Sequence, residues 1–336
     1  MKSISVFILL ISTSFCIQGQ IIHGVVSDDQ TKKSIDYALV YINGTFTGVQ
    51  TNKSGQFRLD ISKNPSMPVT ISALGYQSVI INNPKTDTAL YVYLTPKVFT
   101  LDEVVVSARE SIKTRRSHMK QFKDQFLGRT QNANRCKILN EDDIYFSYNS
   151  DTKVLSAYSS SPVMVINNAL GYKISYFLDK FEFNDKSHSL ILTGNIKFDE
   201  NLSSDKSDNN SFERRRRFAY QGSRMHFIRS LWNDELSTAG FNILDSLNHE
   251  IARDSLVMPK FDTVSHQDFM YLKNCKYFKV YYNEFSQGSM AIFMKETVYF
   301  EENGYYDLLG LSWDGEMAKR RIADQIPYDY SYTSGR

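Results

Sequence analysis

Between residues 21 and 94, apolar and polar positions alternate with a period of two, in short runs broken by turn residues. Residues 22–26, 38–42, 47–51, 57–61 and 69–73 are such runs, and Leu90-Tyr91-Val92-Tyr93-Leu94 closes the series. Alternation of this kind, with turn signals roughly every eight to twelve residues, predicts a Greek-key sandwich of about seven strands. Gly44, Gly48, Gly55 and Gly75 fall where the chain must reverse or bulge, and positive φ is expected there.

The pattern then changes. Residues 109–129 are basic and polar, with Ile112, Met119, Phe122 and Phe126 at helical spacing, which predicts a connecting helix ended by Gly128. Strand-like runs resume at 144–148, 154–158, 163–166, 172–178, 181–183 and 190–194, and the polar tract 199–210 reads as a solvated loop. Residues 214–232 put Phe218, Met225, Ile228 and Leu231 or Trp232 on one stripe, with the arginines largely off it. This predicts one amphipathic helix docked on a sheet. Strands are expected again at 271–285, 290–300 and 305–311, the last two joined by a type I′ turn at Asn303-Gly304. A short basic helix at 315–326, stopped by Pro327, ends the pattern.

Composition adds the compartment. Lys2 followed by the apolar stretch 6–11 and by Ile17-Gln18-Gly19 reads as a secretory leader, with the mature chain expected to start near Gln20. Cys16 would suit a lipoprotein, but Phe15 stands where a small residue is wanted. No later apolar run is long enough to cross a bilayer. Two thiols, Cys136 and Cys275, remain after the leader. In an oxidising compartment they either pair as one disulfide or stand as separate buried thiols. A formal net charge of +2 supplies no global field towards nucleic acid, so any anionic contact must be local.

Several spaced motifs in the first part resemble the carboxypeptidase regulatory-like domain, a transthyretin-like sandwich of exported Bacteroidota proteins. They are Ile22-His23-Gly24-Val25-Val26, the run from Ala38 to Thr45, Gly48 with Thr51-Asn52, Gly55 with Phe57, and Ile71-Ser72-Ala73-Leu74-Gly75-Tyr76. The resemblance implies a fold and no activity. Residues 101–108 look like the segment that follows this domain in outer-membrane nutrient receptors, but the rest of the chain lacks the strand number and pattern of a barrel. Val104-Val105-Val106 is expected to pack as a last strand on the sandwich. Weaker similarity, in residues 220–231 and 315–330, points to secreted Bacteroidota proteins that pair this domain with a second one of uncharacterised role.

Catalytic signals are faint. A zinc carboxypeptidase needs a His and a Glu three positions apart, and none of the six histidines has one; after His249-Glu250, Arg253 takes the place of a second metal ligand. Ser117 to Lys120, Ser150 to Lys153 and Ser203 to Lys206 fit a serine-lysine spacing without its companion motifs. Asp245, Glu250, Glu301 and Glu302 are available as a glycosidase pair, which spacing alone does not decide. The sharpest local feature is Arg214-Arg215-Arg216-Arg217 with Tyr220 and His226 nearby. The arginines either clamp anionic groups of an envelope glycan or lipid, or form a solvated basic face, and His226 is either a ligand contact or a packed core residue. Tyr277, Phe278, Tyr281, Tyr282, Tyr305 and Tyr306 could stack on sugars where strand alternation leaves them exposed.

The expected organisation is mainly β with an α+β second part: leader 1–19, seven-stranded transthyretin-like β-sandwich 20–97, linker and connecting helix 98–130, and a β-rich α+β domain 131–336 with antiparallel sheet and one main amphipathic helix. The expected role is non-catalytic binding or scaffolding at the cell envelope, in the periplasm or at the outer membrane, without a cofactor. Its expected partner is an envelope glycan or an outer-membrane protein, and not nucleic acid. The alternatives are a glycan-directed hydrolase with its site in the C-terminal domain, and an accessory subunit of a TonB-dependent nutrient receptor.

Overall fold

Seven strands build the N-terminal part of the computed structural model, which describes residues 20–82, 84–97, 111–201, 206–262, 267–283 and 288–332. They are β1 (Ile21–Asp28), β2 (Leu39–Ile42), β3 (Gly48–Gln50), β4 (Gln56–Asp60), β5 (Val69–Ser72), β6 (Val79–Ile81) and β7 (Leu90–Leu94). The sheets β4-β1-β7 and β3-β2-β5-β6 face each other. Between them lie Ile22, Val26, Leu59 and Val92 from the first and Val40, Ile42, Val69 and Ile71 from the second. The leader and residues 101–108, including the Val104 to Val106 expectation, lie outside the described residues. Gly44, Gly55 and Gly75 take positive φ as expected, and Gly48 does not. Its missing side chain serves a close approach instead, since a Cβ there would lie 2.8 Å from that of Tyr41.

The central strands of the second sheet, β2 and β5, are buried on both faces. Tyr41 and Thr70, which point away from the sandwich core, are fully covered, and Tyr41 stacks on Phe177 with centroids 5.5 Å apart. This docking against the rest of the chain departs from the picture of a sandwich held at the end of a linker. Helix α1 (Ile112–Phe126) departs from it too. Ser111 caps its start, Gly128 at φ +96° follows its end, and Met119, Phe122 and Phe126 are buried against Phe146, Phe181 and Tyr176. A helix expected as a connector is therefore part of the next core.

That core belongs to a six-stranded antiparallel sheet of β8 (Cys136–Ile138), β9 (Ile144–Asn149), β10 (Val154–Ser159), β11 (Val163–Asn167), β12 (Tyr172–Asn184) and β13 (Leu190–Glu200). The long β12 joins the two runs expected separately, with the register shifting at Asp179 between Leu178 and Lys180. One edge of β12 carries β11 and then β10, and the other carries β13. The exposed edge of β13 is satisfied by the sandwich. Gly44 N–H donates to Ile196 O at 2.7 Å, Asn43 Oδ1 accepts from Ile196 N–H at 2.7 Å, and Phe198 N–H donates to Thr45 O at 3.1 Å.

The single helix expected over 214–232 is two helices, α2 (Lys206–Tyr220) and α3 (Arg224–Trp232). Gly222 at φ +65° ends the first and Ser223 caps the second, its Oγ accepting from His226 N–H. The break rephases the faces, so Phe218 is 68% exposed while Phe227, Ile228 and Leu231 are buried. The tract 199–210, expected as loop, begins in β13 and ends in α2.

The last part contains β14 (Phe241–Leu244), α4 (Arg253–Leu256), β15 (Val257–Asp262), β16 (Gln267–Lys273), β17 (Tyr277–Tyr282), β18 (Ser289–Phe293), β19 (Thr297–Phe300), β20 (Leu311–Gly315) and α5 (Glu316–Lys319). The sheets β14-β17-β18-β20 and β15-β16-β19 share one core with α3. Four expectations change here, the first being the strand expected at 290–300, which is the two strands β18 and β19. The run 271–285 breaks where Asn274 Oδ1 accepts from Lys276 N–H and Lys276 adopts φ 70°. The strand expected at 305–311 starts only at Leu311, because Asp307 to Gly310 form a turn. At Asn303-Gly304 only the glycine has positive φ, which excludes type I′.

The helix expected at 315–326 is also interrupted. After α5 the chain extends through Arg320 and Arg321 before a 3₁₀ turn, Ile322–Asp324. The residues that follow knit the parts together. Ala323 N–H donates to Leu127 O at 3.2 Å, Tyr328 N–H donates to Gly44 O at 2.8 Å, and Asp329 accepts from Phe46 N–H at 2.6 Å. Arg229 donates to the carbonyls of Tyr328 and Tyr330 at 3.0 and 2.9 Å.

Candidate ligand-binding cavity

Where the sandwich, the six-stranded sheet and the C-terminal sheets meet, they enclose a cavity of about 980 Å³. The sandwich contributes Gly44, Pro68, Thr70 and Ile80; the central sheet contributes Tyr176, Asp179 and the 192–196 segment of β13. Tyr271, Tyr299, Tyr305 and Trp313 line the C-terminal side, and Arg224, Arg320 and Arg321 come from α3 and the extended segment after α5. The volume is within the range of small-molecule sites.

The wall carries a charged group that the protein leaves unsatisfied. Thr70 Oγ1 and Trp313 Nε1 lie behind that wall, shut off from the cavity and without a hydrogen-bond partner among the described residues. The guanidinium of Arg321 has no hydrogen-bond or ion-pair partner among the described residues. Burial, with the Arg224 charge adding to it, pushes Arg321 down to about 10, so it stays charged at neutral pH. Arg224 and Arg320 are partly engaged: Arg224 Nη2 donates to Arg320 O at 3.2 Å, and Arg320 Nη1 to Ala219 O at 2.8 Å.

Three acids line the same space. Asp324 accepts from Thr130 at 2.9 Å and Asn132 at 2.8 Å, and burial raises its pKa. Asp307 pairs with Lys295 at 2.5 Å. Asp179, at the β12 irregularity, is raised by burial and partly offset by Lys97.

The residues singled out in the sequence lie elsewhere. Arg214 is exposed. Arg215 Nε donates to Ala169 O; Arg216 Nε donates to Leu170 O at 2.7 Å and stacks 4.2 Å over Tyr172. Arg217 Nε is buried without a partner. Arg215 and Arg216 therefore clamp the turn between β11 and β12, which commits the donors of those two to the fold. Tyr220 stacks on Tyr332 with centroids 4.8 Å apart. His226 is half-buried among Tyr220, Phe241 and Tyr282, and its Nδ1 accepts from Gly222 N–H at 3.1 Å. Burial, then the charges of Arg229 and Arg320, push its pKa down to about 4.

Cys136 and Cys275 are both free thiols, Cys136 half-buried and Cys275 exposed, so the pairing alternative is not realised. None of the four candidate acids lines the cavity. Asp245 accepts from Leu247 and His249 N–H, and Glu301 accepts from Tyr299 Oη at 2.7 Å. Arg253, the residue in place of a zinc ligand, closes the end of α3 by donating to Leu231 O at 2.7 Å. Of the aromatic platform, Phe278 is core, while Tyr305 and Tyr306 reach the cavity. Sequence reasoning missed Arg320 and Arg321. Their signal was a basic pair set between Met317 and the apolar Ile322-Ala323, a place that allows little solvation.

Comparison with known proteins addresses the first part of the chain. Residues 22–106 match the family described as CarboxypepD_reg-like domain. The match covers β1 to β7 and extends past them. A search of curated proteins gives no match. Among solved structures, a 9R-lipoxygenase from Cyanothece PCC8801 aligns at 10% identity and a TM-score of 0.18, over 66% of this chain and 48% of the other. That alignment carries no argument about fold or activity.

Proposed function

We propose that this is an exported, non-catalytic binding protein of a bacterial cell envelope, of the kind found in Bacteroidota, which holds a small polar ligand in the cavity between the regulatory-like sandwich and the C-terminal sheets. The observation that carries this reading is the wall of that cavity. Arg321 brings to that wall a guanidinium that lacks a protein partner among the described residues, and a half-buried charge left unpaired costs stability unless something else bonds it. All three acids on the wall are engaged by neighbours, which favours binding over the paired carboxylates that glycoside hydrolysis needs. The leader pattern around Lys2 supports export, and among the described residues no helix is long and apolar enough to cross a membrane.

Two measurements test the proposal. N-terminal sequencing of protein recovered from the envelope fraction of an expressing bacterium should start near Gln20; an intact leader on cytosolic protein removes the export part. Thermal-shift screening against envelope-derived oligosaccharides should give a saturable rise in Tm that is weakened in Thr193→Trp, whose larger side chain intrudes into the cavity from β13. Shifts unchanged by that substitution, or none at all in the wild type, remove the binding part.

A further inference from the structure

We propose that the ligand of this cavity carries an oxyanion, a carboxylate or a phosphate, that pairs with the guanidinium of Arg321. The inference rests on the cavity being a binding site and adds the chemistry of what it binds.

Five cationic side chains line the cavity, Arg224, Arg320, Arg321, Lys260 and Lys295, against three acids. Lys295 and Asp307 neutralise each other, and Asp324 is held by Thr130 and Asn132 on the side of α1. Asp179 accepts from Asn195 Nδ2 at 3.4 Å, and the Lys97 charge partly offsets its burial. Arg321 is left with a half-buried charge, a second guanidinium near enough to repel it, and no acceptor among the described residues. A charge withdrawn from water without a counter-charge is unfavourable, and a like charge beside it makes it more so. A partner anion relieves both. The planar guanidinium offers two parallel N–H donors that match the two oxygens of a carboxylate or phosphate.

Backbone geometry holds the arginine in place. The chain is extended at Arg321, with φ −101° and ψ −159°, between α5 and the 3₁₀ turn. The stem of the side chain lies against Gly128, where an added Cβ would come within 3.2 Å of Arg321 Cβ. The remaining wall suits a hydroxylated body, with Asn43, Thr193 and Asn195 as hydrogen-bonding groups and Tyr305 as an aromatic face. A sugar acid and a sugar phosphate both fit this description.

The test uses the full mature chain and four probes at matched ionic strength: inorganic phosphate, glucuronate, glucose and sodium chloride. Phenylglyoxal labelling read by peptide mass spectrometry reports directly on Arg321 in the wild type. Phosphate or glucuronate should raise Tm saturably and protect Arg321 from labelling, and chloride should do neither. Arg321→Gln should weaken anion binding by about tenfold or more, with Arg321→Lys keeping part of it. Exposed Arg214→Ala should leave it unchanged. Whichever anion acts at lower concentration identifies the source of the oxyanion. The inference is overturned if neither anion protects Arg321, or if Arg321→Gln responds like the wild type. Glucose binding as well as glucuronate, with both weakened in Thr193→Trp, also overturns it and leaves the cavity reading intact. Anion effects unchanged in Thr193→Trp overturn both.

Discussion

The arginine run on α2 and the arginines at the cavity differ in what surrounds them. Arg215 and Arg216 donate to the carbonyls of Ala169 and Leu170, and Arg216 also lies over the ring of Tyr172. Arg321 has neither acceptor nor carboxylate among the described residues. Four consecutive arginines make the more conspicuous sequence feature, yet the donors of Arg215 and Arg216 serve the fold. Local charge density says little about availability, because a guanidinium is available only where the backbone around it leaves its donors without acceptors.

The contrast can be tested by substitution. Arg216→Ala should have the largest effect, a loss of about 3 kcal/mol in unfolding free energy, from charge-assisted bonds to Leu170 and Gly171 and the contact with Tyr172. Denaturant titration would show it, and an unchanged midpoint would mean Arg216 is no clamp. Gly222→Ala should follow at about 2 kcal/mol, since it forces a left-handed φ on a residue whose Cβ would lie 2.6 Å from the Tyr282 ring. That substitution tests whether the break between α2 and α3 is what separates the two arginine groups.

His226 lies between the groups and reads the field of the cavity side. Its pKa is near 4 in the folded chain and 6.5 when unfolded, so between those values the unfolded state binds more protons. Its contribution to stability is present above pH 6.5 and is lost as pH falls towards 4, on the order of 1 to 2 kcal/mol. His226→Phe should flatten that part of the pH profile. Arg320→Gln should raise the pKa of His226 in an NMR titration, and no change would mean burial alone sets it. The smallest stability effect is expected from exposed Arg214→Ala, within about 0.5 kcal/mol, while Arg321→Gln, which removes an uncompensated charge, should not destabilise the fold. Ligand binding separates them, because only the second should lose it.

Period-two alternation between residues 21 and 94 was enough to place six of the seven strands of the sandwich, with β6 missed, and Gly128 marked a real helix end. These features are local: a strand face or a helix cap is set by residues within a few positions of one another. Even locally, one glycine redirected the reading. Gly222 split an apparent continuous stripe into two helices and left Phe218 in solvent.

The amino-acid pattern by itself determined that this chain is mainly β, that it opens with a regulatory-like sandwich and that an α+β part follows. Only the tertiary structure decided that Tyr41 and Thr70 on the outer face of the sandwich are buried, that α1 belongs to the core behind it, and that Arg321 rather than the α2 run lines the cavity between the sandwich and the C-terminal sheets. The physical reason is distance along the chain. The bonds that close the cavity join Asn43 to Ile196, Gly44 to Tyr328 and Phe46 to Asp329. Partners so far apart in sequence leave no periodicity to read, so which charged side chains find acceptors is settled only when the sheets meet.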